Sequence, residues 1–219
     1  MPSEPTDFLY PFLDARPHDS SSLTADLAAS AQAKMAESRT LRTLTLERCA
    51  AVVTEAGLAM AERLRRGGRV LCFGNGGSST DAEGMAALFR RPPGGRPLAA
   101  MSLVDDTAVL TALANDVGFE LAFSRQIIAY GRPMDVAVGF STSGDSVNVL
   151  RALQEAHERQ LLTIGFCGYG GGAMAASEVV DHCLVVRSES VHRIQEAQAA
   201  LTLRLWTAVQ QFIDEGVGR

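Results

Sequence analysis

The chain has 219 residues, of which 47% are hydrophobic and 21% are charged, and its formal net charge is -5. This length suits one domain with a substantial core, and the composition excludes a disordered chain, which would contain fewer apolar residues. The acidic balance argues against nucleic acid as a direct ligand, because such binding needs clustered Lys and Arg side chains. A single phosphate group is still compatible with it, because backbone N–H groups, hydroxyls and a helix dipole can hold one.

No segment resembles a signal peptide or reaches the roughly 18 apolar residues of a membrane span. We therefore expect a soluble, cytoplasmic protein without membrane contact. The four cysteines, Cys49, Cys72, Cys167 and Cys183, lack metal-ligand spacing. Most of them lie among apolar residues, so we expect reduced and largely buried thiols.

The first 20 residues are predicted to form an arm outside the main domain. They contain an aromatic cluster, Phe8 to Leu13, that is too short to be a domain. Because an exposed apolar patch is a liability, this cluster either packs within the assembly or docks onto another protein. Residues 21–219 are expected to form one domain.

That domain begins with a helical pair and continues as an alternation of strands and helices. Apolar residues at helical spacing predict two long helices within residues 22–66, and Gly67 and Gly68 end the second. In the core, residues 69–219, we predict strands at 69–73, 98–103, 134–140, 161–166 and 181–186 and helices at 81–89, 108–113, 147–159 and 191–215. This order predicts an α/β fold, a three-layer sandwich whose central, mostly parallel five-stranded sheet is flanked by helices.

Two polar loops follow predicted strands, at the edge of the sheet where ligands of such folds bind. The glycines of Gly74-Asn75-Gly76-Gly77-Ser78 allow a tight turn, although such loops also occur for packing alone. The second loop, Ser141-Thr142-Ser143-Gly144-Asp145-Ser146, clusters hydroxyls where a strand meets a helix. It indicates a phosphate site. The alternative is a helix N-cap, but a cap needs only one such residue.

Both loops, with three further motifs in the same order, resemble the sugar isomerase (SIS) domain family from about Leu41 onward. The similarity is greatest to its phosphoheptose isomerase branch and to the non-catalytic relatives that associate with the replication initiator. The further motifs are Ala114-Asn115-Asp116-Val117-Gly118-Phe119, Gly168 to Ala175, and Arg193-Ile194-Gln195-Glu196. The resemblance implies a phosphorylated sugar as ligand and a homotetramer assembled through the N-terminal helices and the last helix.

The resemblance also implies roles for individual residues. The phosphate would be held by Ser141, Thr142, Ser143 and Ser146. The sugar would be contacted by Asn75, Gly76, Ser78, Arg91, Asp106 and Gln195.

The catalytic metal site of the isomerase branch has no counterpart here. That branch converts sedoheptulose 7-phosphate to a heptose 7-phosphate with a divalent metal held by His, Glu, Gln and His. The corresponding positions in this chain are Gly84, Leu88, Gln195 and Leu203. One amide oxygen cannot hold zinc, which takes about four ligands, so we expect no cofactor and no zinc-dependent isomerisation.

Three hypotheses remain for the function. The first is a sugar-phosphate isomerase whose acid and base are rebuilt from Glu83, Glu196 and His192, without metal. The second is a non-catalytic sugar-phosphate sensor or adaptor. The third is a structural interaction module that contacts a protein partner through the aromatic arm.

Overall fold

The computed structural model describes residues 20–217, and the side chains of residues 23–215. The aromatic cluster of the predicted arm lies outside the described residues. The chain divides into two compact units, residues 1–40 and residues 41–219. The described part of the first unit is helical and belongs to α1 (Ser20–Arg48).

The second unit contains the sheet and its covering helices. Its strands are β1 (Val70–Gly74), β2 (Ala100–Ser102), β3 (Val136–Ser141), β4 (Leu162–Gly168) and β5 (His182–Val186). Its further helices are α2 (Ala50–Arg65), α3 (Gly77–Arg90), α4 (Thr107–Asp116), α5 (Ala122–Tyr130), α6 (Val147–Glu158), α7 (Gly172–Ala175) and α8 (Val191–Val217). All five predicted strands are confirmed.

The sheet order is β2-β1-β3-β4-β5, and every neighbouring pair is parallel. Side chains alternate between its faces, as the pleat requires. Val70 and Cys72 point into a core shared with α2, α3 and α8. Leu71 and Phe73 point into a second core shared with α5 and α6. The three-layer α/β architecture predicted from the sequence is therefore confirmed.

Helix α5 is an element that the sequence pattern did not predict. It has only nine residues, and its Phe123, Ile127 and Ile128 are residue types that favour strands. Its buried face supplies the explanation, because Phe123 and Ile127 are at most 1% exposed in the second core. Tertiary packing overrides local propensity here.

Helix α3 begins at Gly77, earlier than the predicted residue 81, because the glycine loop passes directly into the helix. Among the helices of the described part, none combines the length and the apolar character needed to cross a membrane.

Candidate functional site

The glycine loop (residues 74–78) and the serine turn (residues 141–146) lie beside each other at the carboxyl edge of the sheet. They follow β1 and β3, which are adjacent and parallel. From β1 the chain proceeds to β2 on one side, and β3 then starts the other half of the sheet. Ligands of open α/β sheets bind at this reversal of strand order.

A pair of side-chain amides joins the glycine loop to the first turn of α6, which directly follows the serine turn. Asn75 Nδ2 donates to Asn148 Oδ1 at 2.8 Å, and Asn148 Nδ2 donates to Asn75 Oδ1 at 2.9 Å. Asn148 lies in the first turn of α6 and is 4% exposed. We call this reciprocal pair the amide clasp. Sequence reasoning missed Asn148, because nothing in the local pattern marks a partner of Asn75 located 73 residues away.

The hydroxyl of Ser141 holds the serine turn in shape. It accepts N–H bonds from Gly144 at 3.1 Å and Ser146 at 3.4 Å, and it donates to Ser146 Oγ at 2.9 Å. Ser141 is buried, whereas Ser143 is exposed and Thr142 and Ser146 are half-buried. Of the four hydroxyls predicted to hold phosphate, three therefore reach solvent and one lies within the turn.

The turn opens onto the start of α6. Ser146 occupies the N-cap position, but its side chain makes no capping hydrogen bond. The first N–H groups of a helix lack intrahelical partners and carry the positive end of the helix dipole. The hydroxyls and these N–H groups together form an arrangement that can bind an anion without a cationic side chain.

The glycine-rich segment after β4 is hydrogen-bonded to the serine turn. Met174 N–H donates to Gly144 O at 2.9 Å, and Ala173 N–H donates to Asp145 Oδ1 at 2.8 Å. Gly144 has a φ of +76°, and a Cβ there would lie 2.1 Å from Gly171 O. The matched motif at residues 168–175 thus has a structural task, which is to fix the serine turn.

Helix α8 brings Gln195 to the glycine loop from another direction. A Cβ on Gly77 would lie 2.3 Å from Gln195 Nε2, which shows how closely the side chain approaches the loop. The same Nε2 donates to Asp81 Oδ2 at 3.2 Å. Burial raises the pKa of Asp81, and the hydrogen bond from Gln195 partly opposes this shift. Asp81 is a second site residue that sequence reasoning missed.

The remaining residues predicted to contact the sugar differ in their surroundings. Ser78 is buried at 5% exposure, and Gly76 is exposed with a φ of +55°. Asp106 caps α4, accepting the N–H of Val109 at 3.0 Å. Arg91 is exposed at the end of α3.

The three candidate acid–base residues are all exposed; Glu83 lies on α3, and His192 and Glu196 lie one turn apart on α8. Glu83 follows Asp81 by two positions on α3, so the two side chains face different sides of the helix. Glu196 accepts two bonds from Arg193 Nη1, each of 2.9 Å. His192 precedes Gln195 by three positions and shares its side of α8.

The positions that correspond to the metal ligands of the isomerase branch do not fit a metal ion. Gly84 has no side chain, and no heavy atom lies within 4 Å of an added Cβ. Leu88 and Leu203 offer only carbon atoms, and the Gln195 amide is engaged with Asp81. Within residues 23–215, no group of three or more His, Cys, Asp or Glu side chains is placed to hold a metal ion.

Comparison with known proteins identifies the relatives of this chain. It is 45% identical to a phosphoheptose isomerase of Rhodospirillum rubrum over 155 residues, which are 70% of this chain and 81% of the relative. It is 49% identical to a phosphoheptose isomerase of Desulfovibrio desulfuricans over 150 residues, 67% of this chain and 70% of the relative.

The solved structure of a phosphoheptose isomerase from Neisseria gonorrhoeae has the same fold, with a TM-score of 0.78 at 36% identity. The match covers 84% of this chain and 99% of that one. The family model described as the SIS domain matches residues 35–168. Since that model spans more than half of the chain and the relatives match over most of their length, this chain belongs to the SIS domain family.

Proposed function

We propose that this chain binds a phosphorylated sugar at the carboxyl edge of its sheet and lacks zinc-dependent isomerase activity. The observation that carries the binding proposal is the serine turn at the start of α6, where three hydroxyls reach solvent beside a helix N-terminus that the Ser146 side chain does not cap. A phosphoryl group is an anion that matches these donors. The names of the relatives, phosphoheptose isomerases, support a phosphorylated sugar as the ligand class.

The sugar part would extend from the turn toward Gln195. With its Nε2 donating to Asp81, this amide presents Oε1 as an acceptor for a sugar hydroxyl. The amide clasp sets the distance between the phosphate end and the glycine loop. Asn75 would act through the clasp, by positioning the loop.

Binding is tested by thermal denaturation with sedoheptulose 7-phosphate and a panel of other sugar phosphates. A ligand that binds only the folded state raises the melting temperature with its concentration. We expect Ser143→Asp to abolish this shift, because its carboxylate repels the phosphoryl group. Thr111→Asp, which adds the same charge at an exposed position of α4, is the matched control. The proposal would be contradicted if no sugar phosphate stabilised the unaltered protein, or if one stabilised the unaltered protein and the Ser143→Asp variant equally.

The absence of zinc-dependent chemistry is tested by a turnover assay with sedoheptulose 7-phosphate. We expect no product with or without added zinc, because positions 84, 88 and 203 supply no ligand. Turnover that a chelator removes would overturn this part of the proposal. Turnover that survives the chelator and is lost in Glu83→Gln or Glu196→Gln would instead favour the rebuilt acid–base set.

Binding without turnover corresponds to a sensor or adaptor in the cytoplasm, with the aromatic arm as the contact to a protein partner.

We also propose a homotetramer. The support on this chain is the exposure of large apolar side chains on α2 and α8, Leu58 at 46% and Leu203 at 51%. Sedimentation equilibrium measures the assembly directly, and a monomer at micromolar concentration would refute it.

A further inference from the structure

Two cysteines on neighbouring strands form a close thiol pair that the proposed function does not use. Cys167 lies in β4 and Cys183 in β5, and their sulfur atoms are 3.5 Å apart. Strand β5 is the edge of the sheet. Cys167 is fully buried, whereas Cys183 is partly exposed.

Cys183 and two arginines are among the residues that line one pocket. The pocket has a volume of about 330 Å³ and is lined by Arg48, Cys49, Val52, Cys183, Val185 and Arg187. This volume suits a small molecule. Both arginines are exposed, and neither forms an ion pair with a carboxylate among residues 23–215. The pocket therefore combines a reachable thiol with two guanidinium groups that are available to an anion.

Of the thiols at this place, Cys183 is the one suited to react. The hydrogen bond with Cys183, together with burial, raises the pKa of Cys167, so Cys167 keeps its proton. The same hydrogen bond lowers the pKa of Cys183. Cys49 also lines the pocket, but burial raises its pKa and its thiol donates to Val185 O at 3.8 Å. Since the thiolate is the nucleophile, attack from Cys183 is favoured.

We propose that Cys183 is a modification site for small anionic disulfides, whose carboxylates are bound by Arg48 and Arg187. The Cys183 thiol releases its proton to solvent, and the thiolate attacks one sulfur of the incoming disulfide. A sulfur–sulfur bond forms between Cys183 and one half of that molecule, while the original disulfide bond breaks. The other half leaves as a thiolate and takes up a proton. The incoming disulfide is the oxidant, so no further redox partner is required.

The test treats the reduced full-length protein with glutathione disulfide and follows the intact mass and the modified peptide. We expect one glutathionyl group on Cys183. Cys183→Ser should remain unmodified, and Cys72→Ser, which removes a wholly buried thiol, should react like the unaltered protein. Because Cys167 keeps its proton and does not attack the adduct, Cys167→Ser should carry the same single adduct on Cys183 as the unaltered protein.

The role of the arginines is tested by changing the charge of the probe. Cystamine carries ammonium groups in place of carboxylates. We expect it to modify Cys183 about tenfold more slowly than glutathione disulfide does, because it lacks the two surface charge contacts with Arg48 and Arg187. Arg48→Gln with Arg187→Gln should slow glutathione disulfide by a similar factor and leave the neutral bis(2-hydroxyethyl) disulfide unaffected. Equal rates for the three probes, or modification of Cys49 alone, would overturn the proposal.

Discussion

Gly144 is the residue at which the serine turn depends most directly on backbone geometry. Its φ of +76° is unfavourable for residues with a side chain, and a Cβ would lie 2.1 Å from the carbonyl oxygen of Gly171. Neither atom can move without shifting the loop that supports the turn. The conformation and the contact therefore both require glycine.

We predict that Gly144→Ala lowers the free energy of unfolding by about 2–4 kcal/mol, since strain and a steric clash add. Urea denaturation measures the change. The matched control is Gly84→Ala on α3, where an added Cβ meets no atom within 4 Å. That exposed helical position should gain about 0.5–1 kcal/mol. Equal effects at the two positions would contradict this account of the turn.

Asp81 is predicted to make stability depend on pH in the acidic range. Burial raises its pKa, so the folded state binds the proton more tightly than the unfolded state. The contribution of this group to stability therefore falls as the pH rises from about 3.9, the ordinary value for aspartate, through the raised pKa of the folded protein.

Asp81→Asn removes this dependence while keeping an acceptor for Gln195. The stability of the unaltered protein minus that of the variant should decrease with pH across this window and then level off. Urea denaturation from pH 4 to 7 measures it, with Glu83→Gln, an exposed carboxylate on the same helix, as control. A difference that increases with pH would show that the sign is wrong.

At the scale of elements, the sequence pattern predicted the strands well and the short connecting helices poorly. The strands are buried runs such as Val136–Ser141, where every residue is buried, and such runs stand out from flanking glycines and polar loops. Helix α5 has only nine residues, several of them strand-favouring types, and its packing beside Phe73 and Leu103 stabilises the helix. Local sequence does not contain that information.

The candidate site, like the fold, was predictable only in part from the sequence. The glycine loop and the serine turn could be identified because their residues are contiguous in sequence. Asn148 and Asp81 could not, because each gains its role from a hydrogen bond to a residue more than 70 positions away. Asn148 lies in the first turn of α6 and Asp81 in the second turn of α3, and Asn and Asp near helix starts are common for other reasons.

The amide clasp is predicted to couple the two loops energetically. Truncating one member removes both hydrogen bonds of the clasp and leaves the other amide without its side-chain partner, which costs about 1–3 kcal/mol. We therefore expect Asn75→Ala and Asn148→Ala to be non-additive, with the double variant less destabilised than the sum by about 1–2 kcal/mol.

A double-mutant cycle by urea denaturation measures this coupling. The exposed pair Gln154 and Glu158 on α6, whose side chains are hydrogen-bonded at 2.7 Å, is the control. Its coupling should stay near 0.2–0.5 kcal/mol, typical of such helix surface pairs. Additive effects for Asn75 and Asn148 would mean that the clasp does not hold the loops together.

At the scale of the molecule, the charge balance makes a prediction about salt. The protein carries 20 Lys and Arg against 25 Asp and Glu residues, and the proposed phosphate site consists of neutral groups. Affinity for a sugar phosphate should therefore not fall between about 50 and 200 mM salt, unlike binding by cationic side chains. Isothermal titration calorimetry measures this. A steep fall would indicate a direct contact from Arg91, and Arg91→Gln would then abolish the salt effect.

The amide clasp also determines how the site can respond to a ligand. Separating the glycine loop from the start of α6 would break both hydrogen bonds of the clasp, so we expect these segments to stay ordered when the site is empty. Little conformational entropy is then lost there when a sugar phosphate arrives. We expect adjustment to sugars of different size to occur instead at α8, whose Gln195 lies beside the glycine loop and donates a hydrogen bond to Asp81 of α3.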